Sequence, residues 1–211
     1  MNYKKRYKIL SLFLIHNPYP KTELIFSSSF ELLLSVMLSA QSTDFMVNKI
    51  TKKLFKIANT PEKILQLGIE NLKFYIKSLG LYNIKSENII KTSILLLNKY
   101  DGLIPRTRFK LEQLPGVGRK TANIILNILF KKNTIAVDTH VFRVCNRTNF
   151  AQGKNVQELE KKLLKVVPTI FKINFHFWFL LHGRYICTAR NFQCQKCIIY
   201  NLCEYKNNIL L

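Results

Sequence analysis

Four of the five cysteines in this 211-residue chain lie within one short stretch near its carboxyl end. They are Cys187, Cys194, Cys197 and Cys203, and their spacing is C-x6-C-x2-C-x5-C. Four thiols so close together indicate a metal site, because thiolates bind soft metals strongly. Zinc sites usually contain two close cysteine pairs, and this stretch contains one C-x-x-C pair. The spacing therefore favours a [4Fe–4S] cluster and leaves zinc as the alternative.

A second segment, LPGVGRKTAN, combines a glycine turn with two adjacent cations. Pro115 fixes a turn, and Gly116 and Gly118 can adopt positive φ angles and present bare backbone. The helix predicted to follow offers free N–H groups to an anion, and Arg119 adds a positive charge beside them. In so basic a chain the expected anion is a nucleic-acid phosphate. A tight turn between two helices, with no ligand, is the alternative interpretation.

Lys120, the second cation of this segment, lies in the first turn of the predicted helix. A cation at that end opposes the helix macrodipole, so a lysine with a purely structural role is better placed at the other end. Lysine amines act as nucleophiles that form Schiff bases. At this position Lys120 can attack the anomeric carbon of a damaged nucleotide. A contact between Lys120 and phosphate is the simpler alternative.

Asp138 opens another predicted helix, in the segment VDTHVFRVCNR. Aspartate is a preferred N-cap residue because its carboxylate accepts a hydrogen bond from a free backbone N–H group. A carboxylate fixed in this way can also stabilise positive charge that develops on a sugar, or accept a proton. Capping and catalysis are compatible, so both roles are predicted for Asp138.

These segments lie in a chain whose pattern is helical throughout. Ser28 with Glu31, and Asn155 with Glu158, have the spacing of capping boxes at helix starts. Ser42 is the predicted cap of the next helix after the one that begins at Ser28. Apolar residues recur at helical spacing between the caps, and no segment of useful length shows the alternation of a strand. The pattern predicts an all-α fold.

The chain carries 33 Lys and Arg residues against 12 Asp and Glu residues, which gives a formal net charge of +21. Charge of this sign and size favours a polyanionic partner, which is DNA, RNA or an anionic membrane. Lysine, isoleucine and asparagine are abundant everywhere, as in proteins encoded by AT-rich genomes, so part of the excess does not require selection for binding. The charge indicates a class of partner without identifying it.

The amino-terminal segment has the features of a secretory signal only in part. Basic residues between Lys4 and Lys8 precede an apolar run from Ile9 to Ile15, but Pro18 follows soon after and no small-residue cleavage site is present. The segment therefore predicts an amphipathic first helix. No later segment has the roughly 18 uninterrupted apolar residues of a membrane span. We therefore expect a soluble cytoplasmic protein with no membrane partner.

Three segments together resemble the endonuclease III family, namely LPGVGRKTAN, VDTHVFRVCNR and the closing four-cysteine loop. The segments ELLLSVMLSAQSTD, IKSLGLYNIKSENII and LHGRYICTAR are also similar to that family, so the resemblance covers essentially the whole chain. It implies two helical domains that flank a DNA-binding cleft. One domain spans residues 22–132 and contains a helix-hairpin-helix motif at about 107–130. The other combines residues 1–21 with 133–211 and carries the iron–sulfur cluster.

The resemblance implies a base-excision-repair enzyme with two activities, a DNA glycosylase that is also an AP lyase. Such an enzyme removes oxidised pyrimidines from double-stranded DNA and cleaves the abasic strand by β-elimination. Lys120 would form the Schiff base, and Asp138 would stabilise charge and relay protons. The four cysteines would hold the [4Fe–4S] cluster. The implied partner is duplex DNA with damaged pyrimidines or abasic sites, bound by a monomer at the nucleoid.

Several residues are expected to contact DNA. A base must leave the helical stack before an enzyme can act on it, and the resemblance places Gln41 and Leu81 as wedges that fill the gap. Asp44 and His140 are candidates for the base pocket. The remaining predicted DNA contacts are Gly116, Gly118, Arg119, Arg184 and Arg190.

The loop between Cys187 and Cys194 departs from the family in charge. Members of the family tend to be more basic there, whereas this chain has Arg190 followed by Asn191 and Phe192. We therefore expect weaker phosphate contact at this loop. For Arg184 and Arg190, a solvated surface charge is the alternative role.

Two other functions fit part of the pattern. A monofunctional glycosylase of the same fold would share the hairpin and the cluster, but enzymes of that kind lack the lysine found at position 120. A helical DNA-binding module with a structural zinc ion, without enzymatic activity, would share the hairpin and the four cysteines.

Overall fold

The computed structural model describes residues 1–205, and this part of the chain contains eleven α-helices and two single-turn 3-10 helices. The α-helices are α1 (Tyr3–His16), α2 (Ser29–Leu38), α3 (Asp44–Leu54), α4 (Pro61–Leu67), α5 (Ile69–Ile76), α6 (Tyr82–Tyr100), α7 (Arg108–Glu112), α8 (Arg119–Phe130), α9 (Thr139–Arg147), α10 (Val156–Val166) and α11 (Thr169–Tyr185). The 3-10 helices are Cys194–Lys196 and Tyr200–Leu202. No β-strand occurs within residues 1–205, and the predicted all-α fold is confirmed.

The chain divides into two compact units. One unit is Thr22–Phe130, here called the hairpin unit. The other, here called the cysteine unit, consists of Met1–Lys21 together with the chain from Lys131 onward. The domain boundary predicted from the sequence follows residue 132, and the structural division follows Phe130, where α8 ends. The second predicted domain runs to residue 211, of which residues 206–211 lie outside the described part of the chain.

Helix α2 occupies the centre of the hairpin unit. Its sequence SFELLLSVML is apolar on nearly all sides, which is typical of a helix surrounded by others, and it packs against α3, α6 and α8. Leu32 to Leu34 are fully buried. Ser28 Oγ accepts a hydrogen bond from the Glu31 N–H group at 3.1 Å, which confirms the predicted cap. The Glu31 carboxylate reaches back to the N–H group of Ser27 at 2.6 Å.

Aromatic side chains form the core of the cysteine unit. Phe175 and Phe179, one turn apart on α11, stack with their ring centroids 4.2 Å apart. Phe13 of α1 packs against Phe179 at 5.3 Å, and the indole N–H group of Trp178 donates to the carbonyl of Asn17 at 2.8 Å. These contacts attach α1 to α11, so two segments that are far apart in sequence fold as one unit.

The first helix has the amphipathic character that its sequence predicts. Ile9, Leu10 and Phe13 are buried, whereas Lys4 and Lys8 are exposed. Within residues 1–205, none of the helices combines the length and the apolar character that a membrane crossing needs.

One predicted cap was wrong. The cap of α3 is Thr43, whose Oγ1 accepts a hydrogen bond from the Met46 N–H group at 3.3 Å. The neighbouring Ser42 hydroxyl accepts instead from the ammonium group of Lys85, at 3.2 Å. Both residues have a good capping side chain, so a local pattern does not distinguish them, and the contact with Lys85 comes from 43 residues further along the chain.

The glycine hairpin lies between α7 and α8, as predicted. The hydroxyl of Thr92, which is buried on α6, donates to the Pro115 carbonyl at 2.8 Å and fixes the turn. Gly116 has a φ angle of 79°, in the region that favours glycine. Gly118 does not have a positive φ angle, so only Gly116 of the two uses this freedom. Its carbonyl accepts the first hydrogen bond of α8, from the N–H group of Ala122 at 2.9 Å.

The two hairpin glycines therefore differ in what an added methyl group would meet. A Cβ atom at position 116 would lie 3.0 Å from the Cβ atom of Asn88, and its residue would have to keep a φ angle that is unfavourable for residues other than glycine. At position 118 no such contact arises within 4 Å of an added Cβ atom. We predict that Gly116→Ala destabilises the fold by at least about 1 kcal/mol. In thermal unfolding followed by circular dichroism, the midpoint is expected to fall by about 2–4 °C. Gly118→Ala is the matched control, and an equal loss in both variants would contradict this account of the hairpin.

Candidate active site and metal-binding loop

Lys120 is exposed in the first turn of α8. The opposite face of this helix is fixed in the core by Ala122, Ile125 and Leu126, all of them buried. The backbone that carries Lys120 is therefore held rigidly, and its amine is open to solvent and to a ligand. An accessible amine on a fixed support meets the geometric requirement for a nucleophile.

Asp138 is the N-cap of α9, as its sequence position predicts. Its Oδ1 atom accepts a hydrogen bond from the Val141 N–H group at 2.7 Å. Three buried residues, Ile135 to Val137, precede it and anchor the segment in the core of the cysteine unit. The side chain is half-buried, so the carboxylate is held in one place without being sealed from solvent.

His140, one of the base-pocket candidates, lies one residue into the same helix. Its Nδ1 atom is 3.3 Å from the guanidinium of Arg143, which also donates to the carbonyl of Gly183 at 2.6 Å. A Cβ atom at Gly183 would lie 3.0 Å from the Cβ atom of His140. Glycine at position 183 thus allows α9 and α11 to approach closely, and this approach sets the position of His140.

The hairpin unit brings Gln41 and Leu81 close together. Both are exposed, and both have the left-handed backbone that residues other than glycine rarely adopt, with φ angles of 53° and 61°. Gly80 lies beside the first of them, since a Cβ atom there would be 3.6 Å from the Gln41 carbonyl oxygen. Each such conformation costs about 1–3 kcal/mol and persists only where the surroundings impose it. Strain at two exposed, adjacent positions indicates a functional surface.

Asp44, the other base-pocket candidate, is the first residue of α3 and is half-buried. A carboxylate in the first turn of a helix is stabilised by the positive end of the helix macrodipole. This position explains the residue in structural terms, and its role towards a base stays a prediction.

All four cysteines of the carboxyl-terminal stretch line one cavity in the cysteine unit. About 400 Å³ of space there is not filled by protein atoms, part of it open to solvent. Burial raises the pKa of the Cys197 thiol to about 11, and the neighbouring cysteines add to this effect when they are charged. Burial likewise raises the pKa of Cys194 and of Cys203. Thiols whose pKa is raised in this way can become thiolates when a metal supplies positive charge.

The donor set of this cavity fits an iron–sulfur cluster. Its potential metal ligands are the four cysteine sulfurs and the imidazole of His182, and no carboxylate of the described residues lines it. Within residues 1–205, no three His, Cys, Asp or Glu side chains are grouped so that they could hold one metal ion. A [4Fe–4S] cluster gives each of four cysteines a separate iron atom, so its ligands need not converge on one point. Four soft ligands spread around one cavity match that requirement.

Two arginines that the sequence analysis did not single out hold the cysteine loop in place. Arg143 donates to the carbonyl of Cys187 at 3.2 Å. Arg147 donates to the carbonyl of Thr188 at 2.6 Å and places Nη1 at 3.5 Å from the Sγ atom of Cys187. The two residues lie four apart on α9 and therefore share a face. The sequence does not reveal their role, because their partners lie about 40 residues further along the chain.

Phe192, noted above as a departure from a basic loop, has a partner in the structure. The guanidinium of Arg147 lies over its ring at 4.8 Å and over the ring of Tyr205 at 5.6 Å. Arg190 is exposed beside this group, and Arg184 is half-buried in the last turn of α11. The structure thus leaves Arg190 in a position where phosphate can reach it.

The comparisons with known proteins agree with this fold. Residues 34–169 match the model of the HhH-GPD superfamily of base excision DNA repair proteins. The chain is 70% identical over 209 residues to endonuclease III of Buchnera aphidicola subsp. Acyrthosiphon pisum, covering 99% of this chain and 100% of the relative. It is 59% identical to endonuclease III of Escherichia coli strain K12, covering 99% of each. A solved structure of a trapped endonuclease III–DNA covalent intermediate aligns over 100% of both chains, with 39% identity and a TM-score of 0.93.

These findings establish the class of the protein, a base-excision DNA repair enzyme of the HhH-GPD superfamily. Within that class the chain belongs to the endonuclease III family. It is a DNA glycosylase that is also an AP lyase.

The structural role of Asp138 as a helix cap can be tested separately from its chemical role. Asparagine caps helices as well as aspartate does, whereas replacement by alanine costs about 1 kcal/mol. We predict that Asp138→Ala lowers the free energy of unfolding by about that amount and that Asp138→Asn leaves it unchanged, as measured by thermal or urea unfolding. Equal destabilisation of the two variants would mean that the negative charge, and not the hydrogen bond to Val141, stabilises the start of α9.

Proposed function

We propose that this chain removes oxidised pyrimidines from double-stranded DNA and cleaves the abasic strand by β-elimination, with Lys120 as the Schiff-base nucleophile. The observation that carries the proposal is the exposed amine of Lys120, on a rigid helix start directly after the glycine hairpin. A trapped covalent intermediate with DNA, as named for the similar solved structure, requires a nucleophile on that protein. The corresponding group in this chain must be an accessible one on a fixed support, and Lys120 meets both conditions.

In this reaction the Lys120 amine bonds to the C1′ carbon of the sugar, and the bond between that carbon and the base breaks. The base leaves with the electron pair of that bond and takes up one proton from the nitrogen. The bond between C1′ and O4′ then breaks, O4′ takes up the second proton, and the Schiff base is formed. The strand is then cleaved when a proton leaves C2′ and the phosphate leaves C3′. Asp138 supplies the carboxylate that stabilises positive charge on the sugar and accepts and returns protons. Its hydrogen bond to Val141 keeps the carboxylate oriented for this task.

Cys187, Cys194, Cys197 and Cys203 are the residues that would hold a [4Fe–4S] cluster. When bound, the cluster would cross-link the loop between the cysteines and supply the positive charge under which the four half-buried cysteines bind as thiolates. The role of the cysteines is therefore structural, and they fix the loop that presents Arg190.

DNA is bound through separate groups for the backbone and for the gap in the base stack. The N–H groups of the hairpin at Gly116 and Gly118, together with Arg119, contact phosphate, and Arg184 and Arg190 add charge near the cysteine loop. Gln41 and Leu81 enter the gap left by the extruded nucleotide, and Asp44 and His140 face the base. The partner is a duplex with a damaged pyrimidine or an abasic site. The protein acts as a monomer in the cytoplasm, at the nucleoid.

Borohydride trapping tests the assigned nucleophile. Reduction adds hydride to a Schiff base and converts it into a stable covalent adduct, which electrophoresis separates from free DNA. On a duplex with one abasic site we expect an adduct with the wild type and at least about a hundredfold less with Lys120→Ala, because the nucleophile is gone. Lys110→Ala, which removes an exposed lysine from α7, is the matched control and is expected to trap at the wild-type level.

Each other result has a defined meaning. Equal trapping by Lys120→Ala would show that another amine is the nucleophile. Failure of the folded wild type to form any adduct, while it still binds the duplex, would indicate a monofunctional glycosylase.

The metal is tested on protein purified without oxygen. We expect a yellow-brown protein with about four iron atoms per chain, and we expect Cys203→Ser to lose the colour and most of the iron. Cys145→Ala is the control, because Cys145 is buried in α9 and does not line the cysteine cavity. A colourless wild type with one zinc ion per chain would contradict the proposed cofactor.

A further inference from the structure

The ammonium group of Lys85 is buried beside the two exposed residues with left-handed backbone, Gln41 and Leu81. Lys85 lies in the first turn of α6, where its N–H group donates to the Leu81 carbonyl at 2.9 Å. Its side-chain nitrogen donates to the Leu38 carbonyl at 2.8 Å and to the Ser42 hydroxyl at 3.2 Å. Leu38 ends α2, and Ser42 directly follows Gln41. One side chain thus connects the segment of Leu81 to both sides of Gln41.

Burial of this lysine is costly. The residue is 6% exposed, and desolvation lowers the pKa of its ammonium group. Lysine is almost never buried unless its charge is matched by polar partners. The partners here are two uncharged oxygen atoms, both on the segment that carries Gln41. A methionine would fill similar space without that desolvation, so core packing alone does not account for the residue.

The two segments that Lys85 connects need an external restraint. Gln41 and Leu81 both occupy a backbone region that is unfavourable for their residue types. Gly80 packs against the Gln41 carbonyl, so the two segments are in contact. Released from Lys85, the loop between Leu38 and Ser42 would be free to relax towards ordinary backbone angles, and the side chain of Gln41 would turn away from its present direction.

We propose that Lys85 is a positioning residue, which holds Gln41 and Leu81 in the geometry needed to occupy the gap that an extruded nucleotide leaves in duplex DNA. The inference rests on the proposed function, since it uses the assignment of those two residues as wedges. Lys85 acts through the loop and does not itself reach the DNA, because its ammonium group is enclosed by protein. It therefore affects recognition of the gap and leaves contacts with phosphate unchanged.

Lys85→Met tests this inference, because it keeps the apolar stem and removes the two hydrogen bonds. The probe is a duplex with a stable abasic-site analogue next to 2-aminopurine, whose fluorescence rises when its neighbours unstack. Affinity is measured for this duplex and for an undamaged one at the same salt concentration. We expect the preference for the abasic duplex to fall by about tenfold, which is about threefold for each of the two lost hydrogen bonds. The fluorescence rise is expected to fall with it, and affinity for undamaged duplex to stay within about twofold.

Lys91→Met is the matched control. It removes the same charge from the same helix at an exposed position, where the ammonium group lies 3.9 Å from Glu87, and it is expected to behave as the wild type. A folded Lys85→Met protein with wild-type preference and wild-type fluorescence would overturn the inference. An equal loss of affinity for both duplexes would also overturn it, because the residue would then serve general binding.

A second variant covers the case in which Lys85→Met does not fold. Ser42→Ala removes one acceptor of Lys85 and leaves the core intact, and we expect it to lower the preference for the abasic duplex by about threefold. Wild-type preference in this variant would count against the inference. If the wild type itself shows neither preference nor fluorescence change, the wedge assignment within the proposed function fails, and the inference fails with it.

Discussion

Free backbone N–H groups at the amino ends of helices govern where this chain places its polar chemistry. A helix pairs its own N–H and C=O groups along its length, so only its ends keep unpaired backbone groups. In an all-α protein the apolar side of each helix faces a core. Lys120 lies in the first turn of α8 and Asp138 caps α9, which puts both proposed catalytic residues at such ends. The helix macrodipole stabilises Asp138 and opposes Lys120. Folding alone therefore accounts for the aspartate and does not account for the lysine, which makes Lys120 the more informative residue.

The cysteine loop depends on a balance of charge. Its thiols are partly buried, which raises the pKa of Cys197 to about 11, and thiolates so close together repel one another. Protein groups offset part of this repulsion. Arg147 places a guanidinium nitrogen near Cys187 Sγ, and His182 places Nε2 at 3.6 Å from Cys197 Sγ. Arg147 contributes one positive charge and His182 contributes none at neutral pH, because burial lowers the pKa of its imidazole to about 4. Full ionisation of the four cysteines would need further positive charge, of the kind that the proposed cluster would supply.

The sequence was sufficient for those features that depend on neighbouring residues. The caps at Ser28, Asn155 and Asp138 were predicted correctly, because each depends on residues three positions apart. The four-cysteine spacing and the hairpin were visible for the same reason. The functions of Lys85 and of Arg147 were not predictable, because their partners lie about 40 residues away in sequence. Nothing local marks a lysine as buried or an arginine as the support of a loop, and only the fold brings such partners together.

The same long-range contacts change what the net charge of +21 means for DNA binding. Lys85 is enclosed in the hairpin unit, and Arg143 and Arg147 are committed to backbone carbonyls of the cysteine unit. Cations held in this way shape the protein and are not available to replace the counterions of phosphate. The ring of Phe192 covers Arg147 in the loop where a more basic sequence was expected, so Arg190 is left as an exposed cation beside it. The number of phosphates that this protein can neutralise is therefore limited to its exposed cations, and it is smaller than the formal charge suggests.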